Sequence, residues 1–242
     1  SFVWNDDSTE LTIVPDAPLA YPVGSSPEQV TARRVSYFIS ASATDTEGRG
    51  LPAPFEASFS LLRRVEFTLF ALQDRDLSGS FRSNDTYGSG ACARAQINMC
   101  VGDQRVAGAN EQYKGFISFE LEDLPDAAQS VEAELTIEIT GTSGNPFGGL
   151  GGLVLEHAAF DVIGAEAFSA DALGEMGLIA DGGGAGTLIS ADVASAFMAD
   201  RGEREMTQYR LRFEDETDGD NNADTIVSAW DTQTIDVSYL IP

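Results

Sequence analysis

One segment of the chain alternates apolar and polar residues with a period of two, and it is the strongest guide to the fold. From residue 131 to residue 139, Val, Ala, Leu, Ile and Ile alternate with Glu, Glu, Thr and Glu. Successive side chains of a β-strand point to opposite faces of the sheet, so the apolar residues here lie on one face and the polar residues on the other. The pattern predicts a strand over residues 132–140, with an apolar face in a core and an acidic face in water.

Other segments of the second half of the chain have the length and composition of strands. They are residues 112–121, 153–160 and 208–214. Short strands separated by turn residues are typical of antiparallel sandwiches. Two stretches with helical spacing, residues 165–176 and 190–201, interrupt the pattern, and the second has an apolar face that could close one end of a sandwich. We predict an all-β protein, an antiparallel β-sandwich of jelly-roll-like form with one or two short helices.

The first thirty residues differ from the rest because prolines divide them. A β-type run is followed by four prolines, at positions 15, 18, 22 and 27. Proline removes a backbone donor and fixes an extended conformation, which predicts a strand on a stiff arm over residues 1–30 and one sandwich domain over residues 31–242. This strand could pair with its own sheet, or it could complete the sheet of a neighbouring copy. The residues predicted to form this assembly strand are Phe2, Val3, Trp4, Leu11, Ile13 and Val14.

The charge of the chain narrows the choice of partners. The 242 residues include 39 acidic and 14 basic side chains, for a formal net charge of -25. A surface this acidic repels phosphate backbones and anionic lipids, so we predict no binding to nucleic acid. There is no apolar run of 18 residues, and we predict no membrane insertion. The acidic balance does favour binding of divalent cations.

The only two cysteines, Cys92 and Cys100, lie eight positions apart in a segment rich in Gly and Ala. In an oxidising compartment they would close a tight loop as a disulfide; the alternative is two reduced thiols in a core. The sequence opens on Ser-Phe-Val-Trp-Asn, as a mature protein would after removal of its signal peptide, although a trimmed chain would look the same. We therefore expect a secreted protein, extracellular or at the cell surface.

An acidic loop gives the clearest sign of a ligand. Asp218, Asp220, Asn222 and Asp224 place side-chain oxygens at every second position, and Gly219 allows the backbone to curl. Calcium takes six to eight hard oxygen ligands, which a curled loop of this spacing can supply. We predict a Ca²⁺ site at these four residues, with a solvated acidic turn as the alternative.

No combination of residues predicts catalysis, and we expect a non-catalytic protein with no catalytic residues. His157 is the only histidine, and there is no Gly-x-Ser-x-Gly sequence, so a Ser-His-Asp hydrolase has little support. Carboxylates are too abundant for any acid–base pair to be singled out. Exposed aromatic residues would instead support a carbohydrate-binding module, and the candidates for such a platform are Trp4, Tyr87 and Trp230.

About half of the chain resembles a known group of domains. Tyr113-Lys-Gly-Phe-Ile-Ser-Phe-Glu-Leu-Glu-Asp-Leu-Pro, followed by Val131-Glu-Ala-Glu-Leu, is similar to paired strands in secreted bacterial and archaeal jelly-roll modules of the DNRLRE type. Tyr209-Arg-Leu-Arg-Phe and the acidic loop after it are also similar. The resemblance implies a non-catalytic extracellular module of an adhesive or structural protein.

Together these features predict a structural role outside the cell. We expect a β-sandwich subunit of a surface layer, filament or adhesin, which assembles by exchange of its N-terminal strand. Its partner would be another copy of the chain or another surface protein. The alternative is a secreted carbohydrate-binding module, whose partner would be a glycan.

Overall fold

The computed structural model describes residues 2–4, 11–44 and 47–242 of the chain, with side chains from residue 12 onwards. The chain is divided into two compact units. Unit 1 consists of Ser1–Glu66 with Leu240–Pro242, and unit 2 consists of Phe67–Tyr239. The contacts divide the chain after residue 66, and the predicted boundary after residue 30 lies within unit 1.

Unit 1 is built from short strands in small sheets. Its strands are β1 (Phe2–Trp4), β2 (Leu11–Ile13), β3 (Val23–Gly24), β4 (Arg34–Ile39), β5 (Phe55–Ser60) and the first residues of β6 (Arg63–Phe70). β1 and β2 form one antiparallel two-stranded sheet, and β4 and β5 form another. β3 pairs in parallel with the start of β6. The predicted assembly strand is thus two strands paired with each other, and Val14 follows the second.

Unit 2 contains the remaining strands and the helices. The strands are β7 (Gly79–Arg82), β8 (Met99–Val106), β9 (Ala109–Glu120), β10 (Gln129–Ile139), β11 (Gly141–Ser143), β12 (Leu153–Ala158), β13 (Gly174–Ala180), β14 (Thr187–Asp192), β15 (Met206–Phe213), β16 (Asp224–Ser228) and β17 (Gln233–Ile241). The α-helices of the described residues are α1 (Pro146–Gly149), α2 (Ala165–Ser169) and α3 (Ala194–Asp200). The order β11-β16-β8-β9-β15-β12-β13 gives the larger sheet, in which β7 also pairs with β9.

The second sheet of unit 2 has the order β14-β10-β17-β6, and the two antiparallel sheets form a sandwich. This confirms the predicted all-β class. β10 behaves as its alternation predicts: Leu135 and Ile137 are buried, whereas Glu132 and Glu134 are exposed. The larger sheet is covered on both faces, because Arg210 and Leu211, neighbours on β15, are both buried.

The helices are shorter than the periodicity predicts. α2 ends at Ser169 because β13 takes up residues 174–180. α3 begins at Ala194 and not at Ser190, because β14 continues as far as Asp192, which pairs with Glu134 of β10. The carboxylate of Asp192 accepts the N–H of Ala194 at 2.9 Å, so it supports the first turn of the helix. In the described residues no helix is long and apolar enough to cross a membrane.

The predicted disulfide between Cys92 and Cys100 is confirmed. It joins the short 3₁₀ turn Gly90–Cys92 to the second residue of β8, and Cys100 is fully buried. A disulfide is compatible with an extracellular protein.

Replacing both cysteines by alanine is expected to lower the free energy of unfolding by about 2.5 kcal/mol, because the bridge closes a short loop in the unfolded chain. Urea unfolding of the oxidised protein and the Cys92→Ala/Cys100→Ala variant measures the difference. Dithiothreitol should shift the midpoint of the natural chain and leave that of the variant in place. Equal midpoints for the two oxidised proteins would contradict the expectation.

Candidate functional site

The acidic loop meets the larger sheet where β16 begins. Asp224 is the first residue of β16 and pairs directly with Asp103 of β8. Carboxylate oxygens of Asp103, Asp218 and Asp224 all lie within 4.8 Å of one another. Asp103 and Asp224 are buried and Asp218 is exposed. Two of the four predicted ligands therefore come together with a third carboxylate that the sequence analysis missed.

Two glycines allow the backbone to approach Asp224 closely. Gly102 has a φ of +133°, and a Cβ there would lie 1.9 Å from the carbonyl oxygen of Asp224. Gly144 has a φ of +63°, and a Cβ there would lie 2.3 Å from Oδ1 of the same residue. Any larger side chain at either position would displace Asp224. The N–H of Asn145 donates to the Asp224 carboxylate, which fixes its orientation.

The hydrogen bonds at the three carboxylates come from neutral groups. Asn110 Nδ2 donates to Asp103 Oδ2 at 3.1 Å, and the N–H of Asp224 donates to Asp103 Oδ1 at 3.4 Å. Within the described ranges, no ion pair joins Asp103, Asp218 or Asp224 to a basic side chain. Like charges at this separation repel one another, and a hard divalent cation between them would offset that repulsion. We call these three residues the aspartate cluster.

The other two predicted ligands are engaged with each other. Asp220 Oδ1 accepts the N–H of Asn222 at 2.6 Å, and Asp220 Oδ2 accepts its Nδ2 at 2.5 Å. The backbone hydrogen bond from Asn222 is the main reason that the pKa of Asp220 lies below its usual value. Asp220 does not belong to the aspartate cluster. Asp and Asn commonly bond the backbone two residues further on, and this turn accounts for the alternate spacing of Asp220 and Asn222.

A second group of charges is buried in unit 2. Arg210 Nε donates to Glu156 Oε2 at 2.6 Å, and Arg212 Nε donates to Glu156 Oε1 at 2.8 Å. Arg210 Nη1 also donates to the carbonyl oxygens of Ala167 and Ala170, at 2.9 and 2.7 Å. Arg210 therefore ties α2 and the residue after it to β15. This ion pair has a structural role. The sequence indicates it through one acidic residue, Glu156, within the apolar run 153–158, because a buried charge needs a partner.

The pKa of the Glu156 carboxyl reflects two opposing effects. Burial raises it, whereas the hydrogen bonds and positive charges of Arg212 and Arg210 lower it. The second effect is larger in sum, so the pKa lies below the ordinary glutamate value and Glu156 stays ionised at neutral pH.

His157 follows Glu156 on β12 and is also buried. Its Nε2 lies 2.7 Å from Oδ2 of Asp200 at the end of α3, and Asp200 Oδ1 lies 3.3 Å from Nε of Arg204. The ring packs against Tyr209, with 6.1 Å between centroids. These contacts connect α3 to the larger sheet, so His157 has a structural role.

The aromatic residues proposed as a sugar platform differ in their surroundings. Tyr87 donates its hydroxyl to the carbonyl of Ile163 at 2.7 Å and packs edge-on against Phe81, so it belongs to an apolar cluster under α2. Trp230 is half-buried at the start of a 3₁₀ turn. The side chain of Trp4 lies outside the described residues. The carbohydrate-binding alternative stays a prediction.

An exposed apolar surface lies in unit 1, on the sheet formed by β4 and β5. Cross-strand partners share a face, so one face carries only apolar side chains: Val35, Tyr37, Ile39, Phe55, Ala57 and Phe59. Tyr37, Phe55 and Phe59 remain 37%, 49% and 45% exposed. We call this set the apolar ribbon face. The alternation of apolar and polar residues at 55–59 is its sign in the sequence.

Comparisons with known proteins leave the family open. No protein-family model matches the chain, and no curated protein matches it. Among solved structures, it is similar to the crystal structure of BuGH86wt in complex with neoagarooctaose, with a TM-score of 0.31 and 10% identity. The match covers 86% of this chain and 27% of that one, so the chain spans about a quarter of the length of that protein. The resemblance to DNRLRE-type surface modules stays a prediction.

Proposed function

We propose that this chain is a non-catalytic extracellular structural protein, a β-sandwich subunit of a surface layer, filament or adhesin. One observation carries the proposal: among the described residues, the strand pairs β1–β2 and β4–β5 of unit 1 each form a sheet of two strands. A two-stranded sheet is marginally stable in water, and its unpaired edges are templates for further strands. A neighbouring molecule that adds strands or covers the apolar face would stabilise unit 1.

The N-terminal strands are the proposed site of assembly. β1 pairs with β2 through Phe2–Ile13, Val3–Thr12 and Trp4–Leu11. Neither strand pairs with any other strand of the described residues, so each has an edge that can accept a strand from a neighbour. The partner would be another copy of this chain or another surface protein.

Calcium is the proposed cofactor of this assembly protein. The aspartate cluster would supply three carboxylates, two of them on paired strands of the larger sheet. An ion there would hold the acidic loop against β8. Ca²⁺ fits such a set better than Mg²⁺, because Mg²⁺ requires a tighter octahedron and loses its water reluctantly.

Deletion of residues 1–15 is expected to leave a folded protein that no longer assembles, because it removes β1 and β2 and leaves unit 2 intact. Electron microscopy and light scattering, with calcium and with a chelator, report assembly. Thermal melting reports the fold of unit 2.

Two point variants sharpen this test without shortening the chain. Val3→Asp places a charge at the centre of β1, whereas Ser1→Asp adds the same charge before the strand. We expect loss of layers and filaments only for Val3→Asp. A natural chain that stays monomeric at high concentration in both calcium and chelator would rule out the assembly proposal.

A further inference from the structure

We propose that the apolar ribbon face is a self-association site that docks against the same face of a second copy of the chain. The face is continuous, since its cross-strand pairs are Val35–Phe59, Tyr37–Ala57 and Ile39–Phe55. The rings of Tyr37 and Phe55 lie 6.0 Å apart between centroids. This contact is distinct from the N-terminal strands and does not require them.

The opposite face of the same sheet is polar, apart from one residue. Arg34 Nε donates to Ser58 Oγ at 2.7 Å, and Ser36 pairs with Ser58 across the strands. Phe38 pairs with Glu56 and is 64% exposed. The sheet is therefore amphipathic, with one side suited to water and the other to a partner.

The distribution of charge favours a second copy as the occupant. Residues 31–65 contain five arginines and three acidic residues, whereas residues 121–242 contain four arginines and twenty-four acidic residues. Two chains of net charge -25 repel each other, and they can approach with least repulsion where the sequence is not acidic. A partner drawn by charge would bind the acidic region instead. The ribbon face of another copy is both apolar and free of this repulsion, and a two-fold axis makes the surface complementary to itself.

The size of the face determines how strong the dimer can be. Three aromatic rings that are about half exposed offer roughly 250 to 300 Å² per copy. The rings of two copies would then bury about 500 to 600 Å², which is less than the roughly 1,200 Å² of a stable interface. We therefore expect a weak dimer that forms with rising concentration. A second contact through the N-terminal strands would strengthen it by raising the effective concentration.

The response to salt distinguishes this apolar contact from one driven by charge. Screening weakens the long-range repulsion between two acidic chains and leaves apolar burial in place. The dimer fraction should therefore rise with sodium chloride. If the arginines of residues 31–65 bound the acidic region of another copy, the dimer fraction would instead decrease as sodium chloride rises.

Sedimentation velocity over a hundredfold range of concentration, at low and high sodium chloride, tests the proposal on the full-length chain. The Phe55→Ser/Phe59→Ser variant should lose the ribbon dimer. Phe38→Ser, on the opposite face of the same sheet, should dimerise as the natural chain does. Repeating both variants in the Val3→Asp background separates the ribbon contact from the N-terminal assembly: ribbon dimers should persist there even if the proposed function fails.

Cross-linking gives a readout that does not depend on removing aromatic rings. Both natural cysteines form the disulfide, so an engineered cysteine is the only reactive thiol. Ala57→Cys lies on the apolar ribbon face and Ser36→Cys on the opposite face. Packed sheets lie about 10 Å apart, so a bismaleimide of that span should link Ala57→Cys into dimers and leave Ser36→Cys monomeric.

Three results would overturn the proposal. These are equal cross-linking at the two positions, an equal dimer fraction for the two serine variants, or a monomer under all conditions. Association that weakens as salt rises would also overturn it. That result would indicate that the arginines of residues 31–65 bind an acidic surface of another copy. Dimers of both the natural chain and Phe38→Ser that vanish in Phe55→Ser/Phe59→Ser support it.

Discussion

Glu156→Gln is expected to destabilise unit 2 by about 3 to 5 kcal/mol, because it removes one partner of a buried ion pair and leaves the other charge uncompensated. Arg210, which is 4% exposed, would lose its charged partner and keep its hydrogen bonds to carbonyl oxygens near α2. Denaturant unfolding monitored by circular dichroism measures the loss. Glu175→Gln is the matched control, since Glu175 is exposed and lies 3.6 Å from Arg212. Its effect should stay below about 0.5 kcal/mol.

Acid should reduce the difference between the natural chain and Glu156→Gln. The pKa of Glu156 is lowered in the folded state, so its contribution is complete above the unfolded value of about 4.3. That contribution is lost as pH falls through the lower folded pKa. Unfolding curves between pH 7 and pH 3 should therefore converge for the two proteins. Parallel curves over this range would mean that the carboxylate charge does not stabilise the fold.

The parts of the fold that the sequence predicts are those set by local pattern. β10 follows from its alternation, and the disulfide follows from two cysteines in a short loop. The start of α3 could not be predicted locally, because Asp192 has both a strand partner, Glu134, and a capping contact to Ala194. Pairing between strands decides which role each residue takes, and the helix begins only where the ladder ends.

The candidate sites depend on contacts between distant residues, which local pattern does not show. Asp103 meets Asp224 through the register of β8 and β16, across 121 positions of sequence. Glu156 meets Arg210 through the register of β12 and β15. Alternation at residues 55–59 shows that one face of β5 is apolar, but it cannot show whether a core or a partner covers that face.

Calcium is expected to raise the melting temperature of the protein if the aspartate cluster binds it. Only the folded chain brings Asp103, Asp218 and Asp224 together, so binding stabilises that state by mass action. The gain is about 2.7 kcal/mol at a hundredfold excess of calcium over the dissociation constant. Thermal melting in a calcium titration, followed by a chelator, measures both the rise and its reversal. Magnesium should produce a smaller rise.

Two variants identify which oxygens bind the ion. Asp103→Asn removes a charge from the cluster and should abolish most of the calcium-dependent rise, whatever its effect on stability without calcium. Asp220→Asn removes a charge from the same loop outside the cluster, and the rise should persist, because Asp220 is bonded to Asn222. The opposite result would assign the ion to the four alternate positions of the loop. Melting curves that are identical in calcium and chelator would leave the cluster as three carboxylates that the fold brings together without an ion.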